Sequence, residues 1–132
     1  MTSQRSTSEA QALAVTDTFM TTFNAHDWKA HFGTFSFPHI RIAGGAVKVW
    51  NTPEQLANEY PGHWDGRIEP DWSYSAWDSR EVVHSSDDKV HLAVQFTRYD
   101  QSGAKIATYR ALYVITCVAG HWGIQARSSF AP

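Results

Sequence analysis

The residues best suited to take part in catalysis lie in the segment FPHIRI, residues 37–42. Because side chains alternate along a strand, His39 and Arg41 would share one face, and Ile40 and Ile42 the other. An inward-facing His39 could act as a general acid or base, because imidazole titrates near neutral pH. Arg41 could then hold a developing enolate or a carboxylate. The alternative is that both polar residues face solvent while the two isoleucines fill the core.

Arg127, on the predicted last strand, is the third candidate catalytic residue. Simple alternation would place Gln125 and Ser129 on its face, with Arg98 and Arg110 on neighbouring strands. A buried arginine needs partners and would anchor an anion. An arginine exposed on the sheet face is the alternative.

Aromatic residues make up 14% of the chain and include six tryptophans. Such a supply can fill a core and also line a small-molecule pocket, which is mostly apolar with few polar groups. Core packing is the alternative for each ring. The rings predicted to line a pocket come from the second helix, the end of the third helix and the sheet: Trp28, Phe32, Tyr60, Trp64, Trp77 and Tyr109.

Several common catalytic patterns are missing from the sequence. It contains no glycine-rich phosphate loop and no Gly-x-Ser-x-Gly elbow, so no cofactor is predicted. The seven histidines lack paired spacing, since His26 and His31 are five residues apart, and no metal site is predicted. Cys117 lies mid-strand among apolar residues and is predicted to be an inert buried thiol.

Composition limits the classes of partner. The formal net charge of −2 lacks the basic excess of a nucleic-acid-binding domain. No run of about 18 apolar residues could span a membrane. A single cysteine favours a reducing compartment, so a cytoplasmic location is predicted. We expect residues 1–7 to be a disordered lead-in and residues 8–132 to form one domain.

Helices are predicted in the first half of the chain. Ser6 and Glu9 have capping-box spacing, and an apolar stripe running from Ala12 to Phe23 follows, with Asn24 as the stop. Asp27 would cap a second helix, with Trp28, Phe32 and Phe35 on one side. A third helix would begin at Thr52-Pro53-Glu54-Gln55 and end at Pro61-Gly62.

Strands are predicted to alternate with turns. Residues 37–42 and 46–50 would pair through Gly44-Gly45, with Pro38 marking an edge or a bulge. Residues 72–84, 90–99, 105–118 and 121–130 would then form an antiparallel meander. Helices early and strands late indicate an α+β fold.

The element order, the motif NAHDW at residues 24–28 and the ending GHWGIQARSSF at residues 120–130 together resemble the NTF2-like superfamily, in its SnoaL-like and ketosteroid-isomerase-like branch. The resemblance covers about residues 8–130. It implies a cystatin-like cone, in which a curved, mixed, mostly antiparallel sheet packs on three helices of the N-terminal half around a pocket. It also implies a homodimer formed through the outer face of the sheet.

The resemblance implies a pocket for a small hydrophobic, oxygenated molecule. One reading is a cofactor-independent lyase or isomerase, with His39 moving a proton and Arg41 or Arg127 holding negative charge. The alternatives are a non-catalytic ligand-binding module and a dimeric interaction domain. A ketosteroid isomerase carries an aspartate base near the position of Ala43, so the sequence departs from that chemistry. Asp27 resembles the pocket aspartate of some dehydratases, although helix capping explains it more simply.

Overall fold

The computed structural model describes residues 7–63 and 68–132, with side chains described for all of these except residues 60–63. The predicted lead-in therefore lies outside the described residues, apart from Thr7, which already belongs to the first helix. The elements in chain order are α1 (Thr7–Ala25), α2 (Trp28–Phe32), β1 (Phe35–Ala43), β2 (Ala46–Trp50), α3 (Pro53–His63), β3 (Tyr74–Ser85), β4 (Lys89–Tyr99), β5 (Lys105–Val118) and β6 (His121–Ser129).

The strands form a single six-stranded sheet in the order β2-β1-β6-β5-β4-β3. Strands β3 to β6 pair as an antiparallel meander, and β1 pairs antiparallel with β2. The pairing of β1 with β6 is parallel and makes the sheet mixed. The predicted α+β architecture and the meander are confirmed.

Helix α1 buries the predicted stripe against the sheet. Ala12, Thr16, Phe19 and Met20 are all buried. The helix ends with His26 in the left-handed conformation at φ 57°. The amides of the two residues that follow the helix, His26 and Asp27, donate to the carbonyls of Phe23 and Thr22, respectively. These are the two hydrogen bonds of a Schellman motif.

Helices α2 and α3 begin at their predicted caps. The Asp27 side chain accepts a hydrogen bond from the Ala30 amide, and the Thr52 hydroxyl accepts one from the Gln55 amide at 3.1 Å. Two predicted boundaries are wrong. Phe35 belongs to β1 rather than to the face of α2. Helix α3 continues to His63, past Pro61-Gly62, because a proline in the last turn removes only one backbone hydrogen bond.

Tight turns fall at the predicted glycines. Gly44 and Gly45 have φ of 60° and 76°, and Ala119 and Gly120 have φ of 51° and 81°. Two consecutive positive φ values produce the turn whose twist matches that of a hairpin. These turns fix the pairing of β1 with β2 and of β5 with β6.

Two irregularities decide which side chains face the helices. The β1–β6 register shifts between Phe35 and Ile40, the stretch containing Pro38, so the proline marks an irregularity and not an edge. On β6 a register shift opposite Val114 and Ile115 leaves Gln125 as an extra residue. The prediction that Gln125 shares the face of Arg127 is therefore wrong: Gln125 bonds the Thr116 hydroxyl at 2.8 Å on the other side of the sheet.

The core lies between α1 and the inner face of the sheet. Phe19 from the helix packs against Phe35 and Tyr113 from the sheet, with both ring pairs edge-on at 5.8 Å between centroids. Trp50 and Leu56 close the core at the end formed by β2 and α3. Within the described residues, no helix is long and apolar enough to cross a membrane.

Candidate ligand-binding cavity

A partly open cavity lies beside this core, between α1 and the inner face of the sheet. It offers about 80 Å³ to the centres of water-sized molecules. A single water needs about 10–15 Å³ by the same measure, so the space can take several waters or a small organic molecule. Most of the wall is apolar, and the polar exceptions are arginines, serines and Tyr113. The lining residues are Phe19, Met20, Phe23, Arg41, Ile68, Ser75, Trp77, Phe96, Arg98, Tyr113, Arg127, Ser129, Ala131 and Pro132.

The C-terminal end of α1 is bonded to β3 through Asn24. Its side-chain amide donates to the Ser75 carbonyl at 2.8 Å, and its side-chain oxygen accepts from the Ser75 amide at 2.9 Å. This two-bond clamp holds Ser75 in the cavity wall. Trp77, two residues further along β3, donates its indole N–H to the Thr16 carbonyl at 3.0 Å, which fixes the ring against α1.

Two arginines stand side by side on the sheet wall. Arg41 and Arg127 are direct partners in the parallel β1–β6 pairing, so their side chains share the inner face. Both are buried, at 8% and 7% exposure. One Arg41 nitrogen donates to the Pro132 carbonyl at 3.1 Å. Two guanidinium groups therefore lie side by side in this part of the wall, with little solvent around them.

Arg127 is held by rings and by one imidazole. Its guanidinium lies 5.7 Å from the centroid of Phe19 and 5.2 Å from that of Phe35, within cation–π range. Its Nε donates to His39 Nε2 at 3.1 Å. Its Nη2 is buried and has no hydrogen-bond partner among the described residues. The same side chain contributes to the cavity wall.

His39 is fully buried behind Arg127 and does not line the cavity. Its Nδ1 lies 2.8 Å from the Ile124 carbonyl oxygen. A carbonyl only accepts, so Nδ1 carries the proton and Nε2 is the lone-pair nitrogen that accepts from Arg127. Burial first, and then the charges of Arg127 and Arg41, lower the pKa of His39 well below its usual value. The imidazole is therefore neutral, with both nitrogens engaged by the protein.

A second histidine, His31, is also buried, which the sequence did not predict. It is fully buried, and its Nδ1 lies 3.0 Å from the Thr22 hydroxyl. Burial and the charge of Arg127 lower the pKa of His31 to about 3. Its spacing from Trp28 and Phe32 on a five-residue helix gave no usable periodicity, so no sequence signal identified it.

A separate polar cluster lies on the far side of the cavity. Arg98 lines the wall and pairs with Glu69 at 2.9 Å, and Tyr109 donates to the other Glu69 oxygen at 3.0 Å. Burial raises the pKa of Glu69, but hydrogen bonds from its own backbone, Arg98 and Tyr109 outweigh it and leave the pKa below its ordinary value. Burial and the Glu69 carboxylate raise the pKa of Tyr109. The Glu69 carboxylate thus neutralises the charge of Arg98.

The structure brings only some predicted site residues to the cavity. Arg41, Arg127 and Trp77 line it, and His39 supports Arg127 from behind. Tyr109 is not a lining residue, and it instead bonds Glu69 and stacks under the Arg98 guanidinium.

Trp28 and Phe32 also lie away from the cavity. Trp28 stacks on His26, with ring centroids 5.2 Å apart. Phe32 lines a shallow surface depression near Pro53 and His121. The predicted roles of the Tyr60 side chain and of Trp64 fall outside the described residues. The cavity is also lined by Met20, Tyr113 and Ala131, which the sequence did not single out as site residues.

No metal ligand set emerges from the described part of the chain: no three histidine, cysteine, aspartate or glutamate side chains there are grouped to hold an ion. His84 and His91 do meet, edge to face at 5.6 Å between ring centroids, but without a third ligand. Cys117 is a free, half-buried thiol.

An α1-backed, curved mixed sheet enclosing a cavity on its inner face is the architecture of the NTF2-like, or cystatin-like, fold. The chain belongs to the family described as NTF2-like protein (DUF6841), whose model matches residues 8–129. No protein of curated function is significantly similar in sequence.

Solved structures support the same fold at low sequence identity. A cystatin-like protein of unknown function from Nostoc punctiforme has a TM-score of 0.75 and 9% identity, over 94% of this chain and 90% of that one. An NTF2-like protein of unknown function from Shewanella oneidensis gives 0.72 and 10%, over 92% and 98%. A ketosteroid isomerase-like protein from Erwinia carotovora gives 0.67 and 21%, over 92% and 93%. At these identities the likeness extends to the fold alone.

Proposed function

We propose that the protein is a non-catalytic binding module that holds one small, largely hydrophobic molecule in the cavity between α1 and the sheet. The observation that carries the proposal is the composition of the wall. Apolar rings, arginines, serines and Tyr113 surround the space, and no side-chain carboxylate or imidazole of the described residues is among the lining groups. Such a wall can bind and orient a ligand.

The arrangement of His39 is the reason for preferring binding over proton transfer. A general base needs a free lone pair within reach of the substrate and a pKa near the working pH. His39 uses its lone pair on Arg127, is screened from the cavity by that side chain, and has a strongly lowered pKa. These features suit a residue that positions Arg127, whereas a lyase or isomerase would need another proton carrier.

A cavity-filling substitution tests the binding proposal. Ala131 lines the cavity and is almost fully buried, so Ala131→Phe places a ring in the space. We expect 2-phenylethanol to raise the melting temperature of the native protein, because a ligand that binds only the folded state stabilises it. The shift should vanish in Ala131→Phe and persist in the exposed control Ala46→Phe. Equal shifts in all three proteins would contradict the cavity as the binding site.

We further propose that two copies associate through the outer face of the sheet. Cross-strand partners align apolar side chains in two rows over β5, β6, β1 and β2. One row contains Leu112, Ile42 and Val47, and the other contains Val114, Ile40 and Val49. We call these six residues the outer apolar face. Four of them, Ile42, Val47, Val49 and Leu112, are large and exposed.

A contiguous apolar surface of this kind is typical of an interface, and a sheet face can meet its own copy across a two-fold axis. The single cysteine of the chain, with no disulfide partner, supports placing this dimer in a reducing compartment such as the cytoplasm.

A further inference from the structure

The wall of the cavity carries a positive charge that the described protein does not neutralise. Arg98 is paired with Glu69. Arg127 is 7% exposed, and no carboxylate of the described residues forms an ion pair with it. A buried cation without a counter-charge costs several kcal/mol in desolvation, which a bound anion would offset. The electrostatics of the wall therefore favour a negatively charged ligand group.

The donor that would meet this group is Arg127 Nη2. It is buried and unpartnered among the described residues, and it belongs to a side chain that lines the cavity. The partners that the protein does supply leave this nitrogen available: Nε is bonded to His39, and the guanidinium is packed against Phe19 and Phe35. A buried N–H left in this position is destabilising unless a ligand or water accepts a hydrogen bond from it.

The rest of the ligand is defined by the aromatic part of the wall. Phe23, Trp77 and Phe96 present rings to the same space. Rings prefer an apolar or aromatic partner. A fully hydrated anion such as inorganic phosphate would leave this surface without a partner, whereas a planar carboxylate on an aromatic or alkyl body would satisfy the guanidinium and the rings together.

We infer that the ligand of this cavity is a small aromatic or aliphatic carboxylate, anchored by Arg127, with Arg41 beside it on the same face and His39 as the positioning residue that aims Arg127. The inference rests on the binding function proposed above and names its ligand class. His39 acts through its neutral Nε2, which accepts from Arg127 Nε and holds the guanidinium in place in the cavity wall.

The test compares phenylacetate with 2-phenylethanol, which has a similar shape but no charge, and with inorganic phosphate, each measured by calorimetry on the full chain at pH 7 in low-chloride buffer. We expect phenylacetate to bind about tenfold or more tightly than 2-phenylethanol, the ratio expected of one hydrogen bond to a charged group. Arg127→Met should reduce this ratio to about one. The matched control is Arg110→Met on the outer face, which should retain the ratio.

The positioning role of His39 has its own pair of variants. His39→Leu removes the acceptor for Arg127 Nε, and we expect it to lose the preference for phenylacetate while still binding 2-phenylethanol. His39→Gln keeps an acceptor oxygen and should restore the preference. Loss of the preference in both, or in neither, would remove His39 from the anchoring role. These variants also keep the inference testable if Arg127→Met does not fold.

The outcomes separate the inference from the proposed function. Equal affinity for phenylacetate and 2-phenylethanol would overturn the carboxylate class and leave the binding function standing. Phosphate binding as tightly as phenylacetate would likewise overturn the class. Binding of neither aromatic probe would overturn the proposed function, and the inference with it.

Discussion

The hydrogen bond from Arg127 to His39 shows how one residue pair sets the chemistry of the cavity. The Ile124 carbonyl fixes the tautomer of His39, and the lone pair of His39 fixes Arg127. Burial, and then the charge of Arg127, keep His39 neutral. Lysine in place of Arg127 would lack a second planar donor to offer the cavity.

The two buried histidines make stability depend on pH. In the folded protein the pKa of His31 is about 3 and that of His39 is well below its usual value, against 6.5 in an unfolded chain. Below pH 6.5 the unfolded state binds more protons, so stability is present above that pH and is lost as the pH falls. We expect the free energy of unfolding to fall by roughly 2 kcal/mol because of His31 between pH 7 and pH 5, and to fall further because of His39.

Urea denaturation at pH 7 and pH 5 measures this slope. The variant His39→Gln carries no titratable group at that position and should lose about half of the pH dependence. The same stability at both pH values in the native chain would mean that the histidines are protonated when folded.

At the scale of elements, the position of a strand irregularity matters more than the pattern of residue types. Alternation along β6 would put Ile124 and Arg127 on opposite faces, but the extra residue Gln125 brings both inward. Helix α1, the caps at Asp27 and Thr52 and the glycine turns were predictable because each depends on local chemistry. The bulge was not, because it arises from the pairing of β6 with strands elsewhere in the chain.

Gly123 allows β6 to approach β1 closely. A Cβ at this position would lie 2.5 Å from the Ser36 hydroxyl oxygen and 2.6 Å from the Phe35 carbonyl carbon. We expect Gly123→Ala to reduce the free energy of unfolding by about 1–3 kcal/mol, because a packed backbone must shift. Gly33→Ala is the control, since its nearest contact is 3.2 Å and its φ is −67°. An equal effect of both substitutions in chemical denaturation would contradict the close approach.

At the scale of the whole molecule, the two faces of the sheet have different proposed roles. Its inner face carries the cavity, and its outer apolar face is proposed to meet a second copy. The sequence supported the fold through element order, but it could not specify which aromatic rings reach the cavity. Trp28 and Trp77 are both tryptophans next to α1, yet one stacks on His26 and the other lines the space. That difference is set by how α2 and β3 pack.

Association through the outer apolar face predicts a specific change of mass. Leu112 is 42% exposed within that face, and Val83 is 44% exposed on the edge strand β3. We expect Leu112→Glu to convert a dimer into a monomer in sedimentation equilibrium, because a charge at an apolar interface loses its hydration. Val83→Glu should remain dimeric. A native chain that is monomeric at high micromolar concentration would refute the proposed interface.

The most direct measurement for the whole account is the ¹⁵N–¹H spectrum of the arginine side chains during a titration with phenylacetate. If the cavity holds a carboxylate on Arg127, the guanidinium resonances of Arg127 shift in a saturable way while those of the exposed Arg110 stay in place. Saturable binding that leaves Arg127 unperturbed and shifts residues of the outer face would contradict the account.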